Sequence, residues 1–212
     1  MATLMAASAE VWLADCDAAG AASMASFEAW LGPEERLRLQ RFVREQRRRQ
    51  FIAGRGLLRM ALGRLLDVVP QSVRLEDKVG KAPVLLLPGV KGAAGVGFSI
   101  SHSGRWVACA VSRQAALGLD IEMRDASRDL DALAAQAFDA AEMSDWERVR
   151  ALPEPQRVEA FYRQWSEKEA RFKLGTLVEA HCMVLPHAEL SVVLCSGAPL
   201  AEEPRLQLIA LD

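Results

Sequence analysis

The stretch that most restricts how this chain can fold is Phe161–Gly175, FYRQWSEKEARFKLG. An α-helix turns about 100° per residue, so Trp165, Lys168, Glu169, Phe172 and Lys173 fall on one side of it. That side is neither an apolar stripe for a core nor a solvated face, because it interleaves two large rings with two lysines and a carboxylate. Glu169 and Lys173 stand four apart, the spacing of a surface ion pair, and taken alone that is the plainer reading. A second segment changes the weighing. Leu117–Glu122, LGLDIE, reads as a strand in which Asp120 and Glu122 stand two apart, so both carboxylates point to one face. Two carboxylates from a strand and one from a helix suit a single hard divalent cation. Lys173 then lies one helical turn from Glu169, placed to meet a phosphate.

With 212 residues, 51% of them apolar and 25% charged, the chain has material for one large domain or two small ones with a proper core. The net charge of −2 supplies no global basic field and so no case for nucleic acid. Arginine still crowds residues 34–64, against three glutamates and no aspartate. A solvated face is the plain reading of Arg47-Arg48-Arg49, since no aromatic rings are interleaved for base stacking. An acidic partner or a phosphate-rich ligand is the alternative. Cys16, Cys109, Cys182 and Cys195 are far apart and lack CxxC spacing, so neither a zinc site nor a disulfide framework is expected. The first residues, MATLMAASAEVWLADCD, lack the basic start and long apolar core of a signal peptide, and no apolar run approaches a membrane span. The expectation is a reduced, cytoplasmic, soluble protein with no membrane contact.

Along the chain, Glu10–Ala14 reads as a strand, and Gly32-Pro33-Glu34-Glu35 as a helix start with proline in the first turn and acids at the positive end. Helical spacing of Phe51, Leu58, Leu62 and Leu65 predicts a helix over 50–66. Short strands are expected at 73–76 and 83–87 around the turn Lys78-Val79-Gly80-Lys81. A hairpin follows, with arms at 96–100 and 106–112 joined by a turn at Ser101-His102-Ser103-Gly104. After the strand 117–122 come helices at 129–136, 140–150 and 156–174, the last closed by Gly175, and then strands at 184–185, 190–195 and 206–211. The order of helices then strands, given twice, predicts two α+β halves, 1–114 and 115–212.

A histidine between two serines at a tight turn, in SISHSGRW, makes a cradle for an anion. Support of its own turn is the competing role for His102. Lys81 after Gly80 is a second phosphate candidate, against a solvated turn lysine. Taken together, FSISHSGRW, LGLDIE and WSEKEARFK resemble, in order and separation, the ISHS, G-(I/V/L)-D-(I/V)-E and W-x-x-K-E-(A/S)-x-x-K segments of the Sfp-type 4′-phosphopantetheinyl transferases. VGKAPVL is similar to that family's GKP turn, and the resemblance spans residues 33–175.

The resemblance implies an α+β fold of two similar halves related by a pseudo-twofold axis, with coenzyme A and Mg²⁺ in the cleft between them. It implies Asp120, Glu122 and Glu169 as metal ligands, Lys173, His102 and Ser101 beside the pyrophosphate, and Arg38 near the 3′-phosphate. Lys78 and Lys81 fall in its basic turn, where Ala82 disturbs the register, and Glu142 matches an acidic residue of its central helices. The activity implied is Mg²⁺-dependent transfer of 4′-phosphopantetheine to a serine of an apo carrier protein by a monomeric enzyme of the holo-acyl-carrier-protein synthase type. Glu169 is the expected base. The chain departs from the pattern after Lys173, where LGTLVEAHCM lacks the second glycine of G-x-G, and its C-terminal part is short; both bear on the acceptor-side surface. Two other classes remain open on the residues alone. One is a metal-dependent phosphodiesterase or hydrolase acting on coenzyme A-like substrates. The other is a non-catalytic arginine-rich module that binds polyanions.

Overall fold

A computed structural model describes residues 7–76, 83–86, 95–175 and 179–212. Its α+β architecture places two antiparallel-built sheets face to face, each backed by one long helix. The first half runs β1 (Glu10–Asp15), α1 (Ala21–Ala29), α2 (Pro33–Leu39), α3 (Glu45–Leu66), then β2 (Arg74–Glu76), β3 (Val84–Leu86), β4 (Gly97–Ser103) and β5 (Trp106–Ser112). The second runs β6 (Leu117–Met123), α4 (Leu130–Ala137), α5 (Ala140–Val149), α6 (Glu154–Leu174), β7 (His181–Val184), β8 (Leu190–Ser196) and β9 (Leu206–Leu208). One sheet has the order β4-β5-β1-β9 and the other β6-β8-β7, while β2 and β3 pair separately. The connectivity is therefore repeated: a strand, a set of helices, then two strands that pair beside it. β9 departs from the repeat, returning to lie parallel to β1 in the first sheet.

Side-chain alternation along each strand sorts the layers. Trp12, Ala14, Cys109 and Val111 pack with Leu57, Leu58 and Leu62 of α3 in one cluster. Their neighbours Val11, Leu13, Ala108 and Ala110 face Leu119, Ile121, Val192 and Leu194 of the second sheet. The α6 face of that second sheet is where the polar residues of β6 point. Aromatic rings anchor the start of α6: Phe161 and Tyr162 pack with Trp146 of α5 and Phe138. Burial of such rings is worth roughly 1.5–3 kcal/mol each against exposure, so this cluster fixes the helix that carries the WSEKEARFK segment.

Several sequence expectations change. The strand β4 continues through Ser103, so Ser101 and His102 are paired in a ladder, Ser101 with Ala108 and His102 with Val107, rather than lying in a turn. The turn is Gly104-Arg105, where Gly104 takes the left-handed φ of 56°. Helix α1 has no counterpart in the sequence reading, because AASMASFEA carries small residues in place of a strong apolar stripe. Cys182 and Cys195 face each other in the β7–β8 register, 4.0 Å apart at Cα, and form a disulfide. Sequence spacing gave no sign of it, because the pairing depends on strand register. No helix among the described residues is long and apolar enough to cross a membrane. Lys78 and Lys81 lie outside the described residues.

Candidate active site

Gly118 decides how closely α6 can approach β6. A Cβ there would stand 1.9 Å from the carbonyl oxygen of Ala170, so the helix rests directly on the strand. That contact brings Lys173, one turn on, over Asp120. Lys173 Nζ donates to Asp120 Oδ1 at 2.8 Å, to Ser101 Oγ at 3.0 Å and to the Leu119 carbonyl at 3.0 Å. All three ammonium donors are thus engaged. Lys173 pairs with the strand carboxylate, and the i,i+4 ion pair on this part of α6 is Glu167 with Arg171.

Asp120 is 4% exposed. Its Oδ1 accepts from Lys173 and from Ser101 Oγ at 2.9 Å, while its Oδ2 is buried with no hydrogen-bond partner. A buried carboxylate oxygen without a partner is costly, and a cation at that oxygen removes the cost. Glu122 Oε2 accepts from Ser103 Oγ at 2.8 Å. Burial first, and then the nearby Asp120 charge, raise the Glu122 carboxyl above its ordinary range, with the Ser103 bond opposing. Lys173 thus offsets only part of the negative charge that the two carboxylates bring to this place.

Asp120, Glu122, Glu169 and Trp165 line one cavity of about 390 Å³ together with His102 and Lys173. The strand and helix carboxylates predicted from spacing are brought together there. Among the described residues, no three His, Cys, Asp or Glu side chains form a ready-made metal cage. Mg²⁺ takes one or two carboxylates and fills its other positions with waters and substrate phosphates. The all-oxygen donor set and the orphaned Asp120 Oδ2 fit such an ion.

A second cavity of about 580 Å³ shares His102 and Lys173 with the first and is walled by Phe51, Phe98, Phe172 and Arg38. Phe172 is 80% exposed at its rim. The guanidinium carbons of Arg38 and Arg55 lie 5.5 and 5.1 Å from the Phe51 ring centre, giving a cationic wall with an aromatic plate between its charges. Arg38 rides on α2, which is pinned from below. The fully buried Glu35 caps Gly32 N at 2.8 Å and holds Arg59 at 2.5 Å and Arg55 at 3.3 Å, both on α3. The acid expected only to favour a helix start also ties two helices together.

His102 carries no charge here. Burial, then Arg47, holds its pKa down at about 4. Arg47 Nη1 stands 3.0 Å from Nδ1 and 2.9 Å from Nε2. The imidazole is therefore a neutral hydrogen-bonding group facing both cavities. The arginine run is not a plain solvated face. Arg48 donates to the Leu39 carbonyl, and Arg49 to that of Cys16. Glu142 lies away from the cavity lining; its carboxylate caps Asp139 N at 2.7 Å and takes Lys168 Nζ at 2.5 Å. Ser99 and Phe51 were given no site role from the sequence, although the two-residue period of the serines in FSISHS was there to be read.

A family model described as "4′-phosphopantetheinyl transferase, N-terminal" matches residues 21–114, and one described as "4′-phosphopantetheinyl transferase superfamily" matches residues 116–181. The chain is 37% identical over 146 residues to the 4′-phosphopantetheinyl transferase HetI of a Nostoc species, covering 68% of this chain and 59% of that protein. It is 30% identical over 148 residues to the 4′-phosphopantetheinyl transferase Sfp of Bacillus subtilis, covering 69% and 61%. With the 4′-phosphopantetheinyl transferase AcpT of Salmonella typhimurium it shares 35% over 127 residues, 60% and 58% of the two chains. The match thus spans about three-fifths of the length of these curated relatives.

Proposed function

The chain belongs to the 4′-phosphopantetheinyl transferase superfamily, and from that premise we propose that it transfers 4′-phosphopantetheine from coenzyme A to a serine hydroxyl of an apo carrier protein. The observation that carries the reading is Asp120, with one oxygen held by Lys173 and the other buried without a partner. Asp120 and Glu122, with Glu169 across the cavity, would hold Mg²⁺. When bound, that ion offsets charge on the transferred phosphoryl group. Lys173 contributes at the same place by turning one of its three N–H bonds to the pyrophosphate. Ser101 already spends its proton and both lone pairs on Asp120, Ile121 N and Lys173, so its hydroxyl meets the donor only by giving up one of them.

Glu169 is the base in this reading, taking the proton of the attacking serine while 3′,5′-ADP leaves. The engagement of Glu142 with Lys168 and Asp139 supports the choice. Arg38, in the larger cavity, receives the 3′-phosphate; Lys78 and Lys81 remain candidates for the donor's phosphates. The repeated connectivity supports two halves, 1–114 and 115–212, related by a pseudo-twofold axis. A monomeric cytoplasmic enzyme of the holo-acyl-carrier-protein synthase type, acting on acyl, peptidyl or polyketide carriers without nucleic acid or membrane, completes the proposal. Its test is incubation with coenzyme A, Mg²⁺ and several apo carriers, read by mass spectrometry. A phosphopantetheine adduct on the carrier serine is expected. Release of free 4′-phosphopantetheine without a carrier would instead mark a hydrolase.

A further inference from the structure

The edges of the two sheets meet at β4 and β6, and serine hydroxyls make the joint. Ser99 Oγ accepts the N–H of Leu119 at 2.9 Å, Ser101 Oγ that of Ile121 at 3.2 Å, and Ser103 Oγ that of Met123 at 2.9 Å. Alternate residues of one strand thus satisfy alternate amides of another, where an edge would otherwise be open. A hydroxyl has one proton. With its oxygen committed to a fixed backbone N–H, that proton must point away. In two of the three cases it points at the carboxylate just before the amide: Ser101 at Asp120 Oδ1, 2.9 Å, and Ser103 at Glu122 Oε2, 2.8 Å. Before Leu119 stands Gly118, so Ser99 has no such carboxylate.

We propose that Ser101 and Ser103 are positioning residues that fix the rotamers of Asp120 and Glu122 for the divalent cation, so that the junction of the two halves also orients the metal ligands. The proposal rests on reading those carboxylates as metal ligands. A hydroxyl that accepts one hydrogen bond donates the next more strongly. Each serine therefore holds one oxygen of its carboxylate and leaves the other for the ion. Partners of this kind, behind a ligand, are typically worth about 10–100-fold in metal affinity.

Ser103 is the sharper test because it makes no bond to Lys173 among those described. Mn²⁺, which takes the same oxygen ligands as Mg²⁺ and is seen by electron paramagnetic resonance, is titrated into the protein with saturating coenzyme A and no carrier. Ser103→Ala is expected to weaken Mn²⁺ binding about 10–100-fold, and Ser103→Thr, which keeps the hydroxyl, to restore it. Ser99→Ala is expected to lower the thermal midpoint as Ser103→Ala does while keeping wild-type Mn²⁺ affinity. Should Ser103→Ala not fold, Ser103→Cys takes its place, since a thiol is a weak donor. Wild-type affinity in the Ser103 variant overturns the proposal, as does an equal loss in Ser99→Ala. Absence of Mn²⁺ binding by the wild-type protein overturns the metal reading and this proposal with it.

Discussion

Lys173 and His102 stand side by side in the site with opposite electrical characters. Lys173 is held by Asp120, Ser101 and Leu119, so its charge is oriented before any ligand arrives. Lys173→Ala is expected to lower kcat by about 10²–10³, the usual loss for one oriented donor to developing charge, with KM little moved. A change confined to KM would mean uniform binding of the donor. Its thermal midpoint should be read alongside, because the variant leaves Asp120 buried with no cation. His102 is held neutral by burial and by Arg47, with Lys173 and Arg38 adding to the effect. An unfolded chain binds its proton near pH 6.5 and the folded one near 4, so unfolding takes up a proton between those values. The contribution of His102 to stability is therefore complete above pH 6.5 and disappears as pH falls to about 4. In His102→Gln the slope of thermal midpoint against pH in that window should flatten; an unchanged slope assigns it to other groups. Glu122 acts in the opposite sense, since its raised pKa makes ionisation cost stability as pH rises, a cost that a bound cation relieves.

The disulfide belongs to the scale of elements. Cys195 shares a buried cluster with Ala170 and Val193, and Leu174 and Cys182 pack against it, beneath the turn of α6 that carries Lys173. In the β6–β8–β7 sheet, Gly118, Cys195 and Cys182 form one row across three strands. Closing a loop of 13 residues' separation stabilises by roughly 3 kcal/mol through the unfolded chain. A dithiol reductant is expected to lower the thermal midpoint of the wild-type protein and to leave a Cys182→Ser, Cys195→Ser variant unmoved. Equal responses would show that the bond contributes nothing to folding. Cys16 and Cys109 are buried free thiols, and burial pushes both pKa values up, that of Cys16 to about 11. Reaction of either thiol under native conditions would therefore report unfolding.

For the whole molecule the question is how a chain of net charge −2 would meet the carrier proposed for it. That net charge gives an acidic partner no long-range attraction, so any steering would rest on local basic patches, and the arginine-rich α2–α3 corner is the candidate. Arg47, Arg48 and Arg49 spend N–H bonds on His102, Leu39 and Cys16, and of the three Arg47 stands against His102, which lines both cavities. Raising salt from about 0.02 to 0.3 M shortens the screening length severalfold. Over that range KM for the carrier is expected to rise, while KM for coenzyme A in the cleft changes less. A flat carrier KM would point to apolar recognition, with exposed Phe172 at the rim as the first residue to test.

Much of this was legible in the chain. Two-residue spacing put Asp120 and Glu122 on one face, and 3.6-residue spacing put Trp165, Glu169 and Lys173 on another, since both periods follow from backbone geometry alone. The α+β order and most element positions were legible for the same reason. Contacts between elements were not, because they depend on distances that no period encodes. Tertiary packing alone decided that Lys173 pairs with Asp120 rather than Glu169, that His102 lies in a strand beside Arg47 and loses its charge, and that Glu35 is buried between two arginines. It also paired Cys182 with Cys195 and set the serines of β4 against the amides of β6. In each case the sequence determined which groups were present, and the approach of α6 and β4 to β6 decided which of them share a hydrogen bond.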